Sequence, residues 1–276
     1  MLDNHDGGVR RPTMALPERA ALLALMDRNM VAMYCADTQA TPGGEVVEAP
    51  GLVLCSTPRG TVVSNMTIVT GGVDVGVVRE ATARVYRRAG RPFSVWTRAH
   101  ADAPLEAELR DAGFTALHQE PGMVLASDCG RPGALPPETE IRPVVDEAGR
   151  EAYGRVMAKA YGMYGTPEES TLERFGALAS VVGPERRAFL AYRGGRAVAG
   201  AMLFMAHGVG AVNWVGTLPE EFGRGYGAAV TWAVVREGSA RGARFLNLQA
   251  SPMGASLYRR LGFSTPTHYC VFVALE

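Results

Sequence analysis

The chain has 276 residues, enough for one large or two ordinary domains, and 28 basic residues balance 28 acidic ones. This balance gives no electrostatic reason to bind nucleic acid or an anionic membrane, so we expect neither as a partner. The four cysteines lack metal-ligand spacing, and neither a signal peptide nor an apolar run of about 20 residues stands out, so we expect no metal and a cytoplasmic location.

The first half of the chain alternates predicted helices and strands after a loose tail over 1–15. Its first predicted helix covers 16–34, because apolar residues there recur on one helical face. The elements predicted to follow are strands at 51–56 and 62–70, a helix at 74–89, a strand at 92–97, a helix at 105–112 and a strand at 122–126.

A segment rich in proline and glycine, 128–140, is predicted to link two domains over 16–127 and 141–276. In the second domain, Asp146 and Thr166 are predicted to cap helices. The elements predicted there are a strand from 141, helices at 146–161 and from 166, strands at 187–193, 198–206 and 209–218, a helix at 226–241, a strand at 245–249, a short helix after Pro252 and a final strand.

The order of elements in the second half repeats that of the first. L-R-D-A-G-F at 109–114 echoes Y-R-R-L-G-F at 258–263, so we infer two copies of one fold, with chance similarity as the alternative. The first copy has V-T-G-G-V-D-V-G-V where the second has F-G-R-G-Y-G, and Asp74 in it would repel a phosphate. We therefore predict that the first copy no longer binds a cofactor.

A glycine-dense turn, with Gly223, Gly225 and Gly227, joins a strand to a long helix in the second half. Such a turn directs several N–H groups one way and meets the positive end of the helix, which favours a phosphate or pyrophosphate. An ordinary glycine turn is the alternative. The G-x-G-x-x-A match to a dinucleotide fingerprint is rejected, because the next strand ends in N-L-Q-A-S without the acidic residue that holds a ribose.

These features together resemble the GCN5-related N-acetyltransferases (GNAT) over about half of the chain. That family carries R/Q-x-x-G-x-G/A between a strand and a helix, then a second helix with a tyrosine before L-G-F. Gly225 and Gly227 fill the glycine positions, and Y-R-R-L-G-F at 258–263 matches the ending. Two positions depart from the pattern: Phe222 replaces the leading Arg or Gln, and Ser251 replaces a frequent Asn.

The resemblance implies a mixed α+β fold of two tandem GNAT-like domains, each a central, mostly antiparallel sheet flanked by helices. The first domain would be degenerate and the second catalytic. The expected activity is transfer of an acetyl group from acetyl-CoA to an amine of a small molecule, by direct attack in a ternary complex of a monomer or homodimer. A non-catalytic acyl-CoA-binding module and an O-acetyltransferase remain as alternatives.

The resemblance also implies roles for individual residues. Tyr258 is the implied general acid for the departing thiolate, with a packing role as the alternative; a phenol is able to protonate a thiolate held within hydrogen-bond reach. Asn213 cannot take a proton and is expected to hold a water that does. The predicted cofactor-binding residues are Val215, Gly216 and Thr217 beside the pantetheine arm, Gly223, Arg224, Gly225, Tyr226, Gly227 and Ala228 at the pyrophosphate, and Ser251, which otherwise caps the short helix.

Three further residues are predicted to shape the acceptor pocket. Tyr161 and Tyr164 lie in a loop where this fold usually forms the pocket wall, although both rings would also suit a contact between two helices. Asn65 ends a strand of the first half and either faces a cleft between the halves or caps a turn.

Overall fold

The computed structural model describes residues 16–58, 61–126 and 135–274. It is a mixed α+β fold, as predicted, and its strands join in one sheet. The helices among these residues are α1 Arg19–Gln39, α2 Val75–Val85, α3 Ala103–Asp111, α4 Glu147–Gly162, α5 Glu168–Arg174, α6 Tyr226–Ala240 and α7 Ala255–Arg260. The strands are β1 Glu45–Ala49, β2 Leu52–Ser56, β3 Met66–Val69, β4 Ser94–Arg98, β5 Phe114–Ala126, β6 Thr139–Pro143, β7 Arg186–Arg193, β8 Arg196–Ala206, β9 Val209–Thr217, β10 Phe245–Gln249 and β11 Ser264–Ala274.

The two halves exchange their last strands. The sheet runs β1-β2-β3-β4-β11-β5-β10-β9-β8-β7-β6, so β11 of the second half pairs with β4 of the first, and β5 of the first half pairs with β10 of the second. β5 and β11 also pair with each other at the centre. The repeat in the sequence did not indicate this exchange, which makes the sheet continuous across both halves.

Helix α1 covers the sheet where the two halves meet. Met26 packs in one cluster with Val124 of β5 and Phe245 of β10. Farther along the helix, Met33 packs against Phe204 and Ala211 of the second half. The apolar stripe predicted for this helix is therefore buried, and part of its partner surface belongs to the other half of the chain.

Several predicted elements need correction. The sequence pattern missed β1, and β5 begins at Phe114 rather than near residue 122, because most side chains in its first part are exposed or half-buried and show no apolar alternation. Thr166 does not cap α5: the N-cap residue is Pro167, and no side chain there accepts a capping hydrogen bond. Asp146 does cap α4, since its Oδ1 accepts from Gly149 N at 2.8 Å. The predicted tail over 1–15 and most of the predicted linker lie outside the described residues.

Asp37, near the end of α1, ties this helix to the second half. Its carboxylate accepts from Arg186 Nη1 at 3.2 Å and from Arg174 Nη1 at 3.3 Å. The side chains of Asp37 and Arg186 are only 9% and 7% exposed. Removal of one partner from such a buried ion pair leaves the other charge uncompensated, which is strongly destabilising.

We therefore expect Asp37→Ala to lower the free energy of unfolding by about 3–5 kcal/mol, measured by urea denaturation. The matched control is Glu140→Ala, which removes a solvent-exposed pair with Arg142 and is expected to leave the free energy of unfolding nearly unchanged. Equal losses in the two variants would show that the Asp37 pair does not stabilise the fold.

Within the described ranges, no helix is long and apolar enough to span a membrane. The same residues contain no group of three or more His, Cys, Asp or Glu side chains placed to hold a metal ion.

Candidate active site

A cleft opens in the sheet between β9 and β10. These parallel strands pair only at Gly210 with Leu246 and at Ala211 with Asn247. β9 then continues to Thr217, so its edge facing β10 has no strand partner among the described residues beyond Ala211. Unpaired strand edges expose a row of N–H and C=O groups to any extended molecule that enters.

A β-bulge shapes the open edge of β9. Gly200 of β8 pairs with Gly216 and Met202 pairs with Asn213, so Trp214 and Val215 together lie opposite one residue. Trp214 has a left-handed backbone, with φ of 46°. Its carbonyl accepts a hydrogen bond from Tyr153 Oη of α4 at 2.9 Å, which helps to hold this conformation. Bulges of this kind bend a strand and redirect its neighbouring groups.

The glycine turn before α6 leaves the start of that helix uncapped. Gly223 and Gly225 have φ of 75° and 91°, which side chains rarely tolerate. Gly225 is the N-cap residue, and no side chain accepts a hydrogen bond from the first turn. The first N–H groups of α6 and the positive end of its dipole therefore remain available to an anion.

The side chains of the turn point to different environments. Arg224 is half exposed, and its Nε lies 3.3 Å from Glu221 Oε2. Tyr226 is 2% exposed and packs in the core, so only its backbone can face the turn. Gly227 lies beneath α7, since a Cβ there would lie 3.4 Å from Leu257 and 3.5 Å from Thr217 Oγ1. Ala228 follows in the half-buried first turn.

The equivalent helix of the first half, α2, has its first N–H groups occupied. Asp74 is its N-cap residue and accepts from Val77 N at 2.9 Å. Glu108 of α3 accepts from Val75 N, also at 2.9 Å. Two carboxylates thus stand where an anion would bind, and β3 ends at Val69 without a long unpaired edge beside β4.

Gly216 was predicted to lie beside the pantetheine arm, but the group that approaches it most closely is helix α4. A Cβ at this position would lie 2.8 Å from Ala160 and 3.0 Å from Met157. Both residues belong to α4, so glycine is required here because α4 crosses β9 closely. Val215 points to the other side and packs against the core under α6.

Tyr258 is buried beside the cleft on α7, with 8% of its surface exposed. Its ring lies edge-on to Phe263, and Gly254 one turn earlier leaves room for it, because a Cβ there would lie 3.0 Å from the ring. Burial raises the pKa of Tyr258 above the usual tyrosine value, and the nearby Tyr164 adds to the rise. Within the described chain, its hydroxyl makes no hydrogen bond. It is thus a protonated donor that has no partner among the residues that the structure describes.

Ser251 lies in the turn before α7, the short helix that carries Tyr258. Ser251 Oγ accepts from Gly254 N at 3.1 Å, and its carbonyl accepts from Ala255 N at 3.0 Å. The N-cap residue of α7 is Gly254 and no side chain caps this helix, so the capping role predicted for Ser251 is wrong and its hydrogen bonds fix the turn before the helix.

Asn213 lies on β9 under helix α1. Its Nδ2 is 2.8 Å from Met33 Sδ, and its Oδ1 is buried with no hydrogen-bond partner among the described groups. Gln249, at the end of β10, also has a buried amide nitrogen without such a partner. These amides place unsatisfied polar atoms on the two strands that border the cleft, and buried polar atoms of this kind need a partner.

Aromatic rings cluster beside Trp214, in the part of β9 that has no strand partner on the side of β10. The ring of Tyr161, at the end of α4, lies 4.7 Å from that of Trp214 and 5.9 Å from that of Tyr164. Burial raises the pKa of Tyr161, and the neighbouring Tyr258, Tyr164 and Glu120 contribute to the rise. The predicted wall residues Tyr161 and Tyr164 thus lie together near Tyr258.

Asn65 lies away from the cleft. It is fully buried; its Oδ1 accepts from Thr57 N at 2.8 Å and its Nδ2 donates to Pro92 O at 3.1 Å. It precedes β3, five strand positions from β9, or roughly 24 Å at the usual strand spacing. These contacts favour the capping role that was the alternative for Asn65, so we leave it out of the proposed site.

Sequence reasoning missed Glu120 and His118 of β5, which pair with β11 just beyond the end of β10. His118 Nε2 lies 3.1 Å from Glu120 Oε1, with side chains 33% and 19% exposed. No local motif marks them, and residues 114–121 did not look like a strand. Only the pairing of β5 with the other half brings the charge of Glu120 within electrostatic reach of Tyr161.

Comparison with known proteins gives a family match within the second half. Residues 151–263 match the model of the acetyltransferase (GNAT) family. A GCN5-related N-acetyltransferase from Kribbella flavida is similar over 91% of this chain and 96% of its own, with 20% identity and a TM-score of 0.71. A GCN5-related N-acetyltransferase from Sphaerobacter thermophilus is similar over 94% and 93%, with 19% identity and a TM-score of 0.62.

A tandem GNAT protein from the clavulanic acid biosynthesis pathway is similar over 94% of this chain and 96% of its own, with 14% identity and a TM-score of 0.56. No curated protein sequence matches the chain. The GNAT resemblance of the second half and the tandem GNAT fold are therefore confirmed.

Proposed function

We propose that this chain is an acyl-CoA-dependent N-acyltransferase that moves an acetyl group from acetyl-CoA to an amine of a small molecule. One observation carries the proposal: the uncapped glycine turn of α6, the unpaired edge of β9 and the unpartnered hydroxyl of Tyr258 lie around one cleft. A GNAT domain implies an acyl-CoA co-substrate, and these groups fit one.

The phosphate end of the co-substrate fits the turn. N–H groups over 223–228 and the positive end of α6 suit a pyrophosphate, whose charge would replace the missing cap. Arg224, half exposed, is placed to add a cation at the rim. The pantetheine arm fits the open edge of β9 at Val215, Gly216 and Thr217, where its amides would pair as an added strand.

Tyr258 is proposed as the general acid. Because burial raises its pKa, the phenol stays protonated at neutral pH and has a proton to give to the thiolate that leaves. The Asn213 amide, with an oxygen that accepts from no described group, is proposed to hold a water that helps to remove the proton of the amine. Alignment of amine and thioester would supply much of the rate.

The division into a degenerate domain over 16–127 and a catalytic domain over 141–276 also remains a proposal. The carboxylates of Asp74 and Glu108 at the start of α2 support it, because they occupy the N–H groups that a pyrophosphate would need. The contribution of the first half is structural support through β5 and α1, together with the residues that β5 brings to the cleft.

The competing function is acyl-CoA binding without turnover, which the departures at Phe222 and Ser251 favour. Calorimetric titration with acetyl-CoA and with free CoA, followed by thiol release across a panel of amines, separates the two. We expect one saturable site per chain for each ligand, with thiol released only when an amine is present. Binding without any release would favour the sensing module, and no binding of either ligand would refute both functions.

A further inference from the structure

The strand exchange places a carboxylate of the first half at the cleft. Gln249, the last residue of β10, pairs with Gly122 of β5, and Ala250 N donates to Pro121 O at 2.9 Å. The chain then turns away toward α7. Glu120 therefore lies on β5 just beyond the end of β10, on the same face as Gly122 because side chains alternate along a strand.

That face is the one covered by α1. Glu120 pairs with Tyr269 of β11, whose hydroxyl donates to Asp27 of α1 at 2.8 Å. The negative charge of Glu120 acts on two tyrosines there: burial raises the pKa of both Tyr34 and Tyr161, and the carboxylate of Glu120 raises each further. Tyr34 lies on α1 and Tyr161 at the end of α4, where Tyr258 also raises the pKa of Tyr161.

The carboxylate of Glu120 forms no ion pair with an arginine or lysine among the described residues. Its side chain is 19% exposed, and its ion-pair partner among the described residues is His118, without an arginine or lysine. Arg174, the cation near Tyr34 and Tyr161, is bound to Asp37. A largely buried carboxylate normally has a cationic partner, because desolvation of an unpaired charge is costly. The hydroxyls of Tyr34 and Tyr161 likewise bond to no described residue.

We propose that Glu120 binds the ammonium group of the acceptor and takes its proton, and that the acceptor is a small primary amine with an aromatic or apolar body. The inference rests on the proposed acetyl transfer. The carboxylate supplies the charge-assisted hydrogen bond, while the rings of Tyr34 and Tyr161 supply apolar contact and a cation–π attraction. The acceptor site is thereby built from both halves of the chain.

The protons balance in this scheme. The ammonium gives one proton to the Glu120 carboxylate and becomes a neutral amine. Its lone pair forms the C–N bond to the thioester carbonyl carbon, and the C–S bond breaks. The sulfur takes the proton of Tyr258, and Tyr258 is reprotonated by the proton that the amide nitrogen loses, passed on by the water proposed at Asn213. The products are an amide, a thiol and a protonated Glu120, which returns its proton to solvent.

Phenethylamine is the probe for this site, because it carries an ammonium on an aromatic body. For Glu120→Gln we expect kcat/KM for phenethylamine to fall about 10²- to 10⁴-fold, as for loss of a general base. Calorimetric binding of phenethylamine to the CoA-saturated protein should weaken, while binding of the neutral analogue phenethyl alcohol and of acetyl-CoA should not change.

Glu140→Gln, in an exposed pair on β6, is the matched control and should behave as wild type. A Glu120→Gln protein with wild-type amine binding and turnover would overturn the Glu120 assignment while acetyl transfer itself stands. Wild-type protein that transfers acetyl to other amines but does not bind phenethylamine would overturn the substrate class. If the protein does not bind acetyl-CoA, the proposed function is refuted. In that case, phenethylamine that binds the free wild-type protein but not the Glu120→Gln variant would still support a cation site at Glu120.

Discussion

Gly225→Glu is expected to weaken acetyl-CoA binding at least about 100-fold, or roughly 2.8 kcal/mol at 1.4 kcal/mol per tenfold. Gly225 is the N-cap residue of α6, with φ of 91°, and no side chain accepts a hydrogen bond from the first turn. A carboxylate introduced there would accept the free N–H groups and repel the pyrophosphate. The first half already shows this arrangement, since Asp74 caps α2 in the same manner. The dissociation constant from calorimetry is the measurement.

Gly242→Glu is a matched control for backbone strain. Gly242 follows the other end of α6, also has a left-handed φ of 81°, and a Cβ there would meet no atom within 4 Å. Both variants therefore place the same side chain on a strained backbone of the same helix, and both should lose similar stability. Comparable loss of acetyl-CoA affinity in the two would show that strain, and not the turn, determines binding.

The parts of the site that depend on local sequence were predictable. The glycine turn, helix α6 and strand β10 follow from residues that are adjacent in the chain, and the structure places α6 at Tyr226–Ala240 and β10 at Phe245–Gln249, close to the expected bounds. Turn residues, helix ends and periodicity are local properties, so a single sequence carries them.

The acceptor side of the cleft was not predictable in the same way. Glu120 belongs to a strand in which four of the first eight residues are exposed and three more are half-buried, since their hydrogen bonds to β11 fix the strand while few side chains cover it. Apolar alternation, the signal for a strand, is absent there. The exchange of β5 and β11 then decides which half receives Glu120, and this pairing depends on contacts between residues far apart in the chain.

The same dependence on tertiary contacts explains why Asn65 and Asn213 have different environments in the structure. Asn65 and Asn213 both stand at strand positions facing a supposed cleft, and the sequence does not distinguish them. In the structure, the amide of Asn65 is fully used by the backbone at Thr57 and Pro92, whereas the oxygen of Asn213 accepts from no described group. Their difference lies in tertiary hydrogen bonds, which a one-dimensional pattern does not record.

Tyr258→Phe is expected to lower kcat about 10²- to 10⁴-fold, the range for loss of a general acid, with little change in acetyl-CoA affinity. The hydroxyl makes no hydrogen bond to a described residue, and the ring packs against Phe263. Removal of the oxygen thus leaves no buried group unsatisfied, so the fold should keep its stability. A fall in kcat would then report the lost proton donor and not a disturbed core.

Tyr192→Phe, on β7 beneath Arg142 and away from the cleft, is the control for loss of a tyrosine hydroxyl. Thiol release under saturating acetyl-CoA, together with the melting temperature of each variant, is the measurement. If Tyr258→Phe keeps wild-type kcat, Tyr258 is a packing residue. The thiolate would then leave unprotonated, or it would take its proton from water or from another group around the cleft. Tyr161 is the first such group to test, because its ring lies 4.7 Å from that of Trp214 on the open strand.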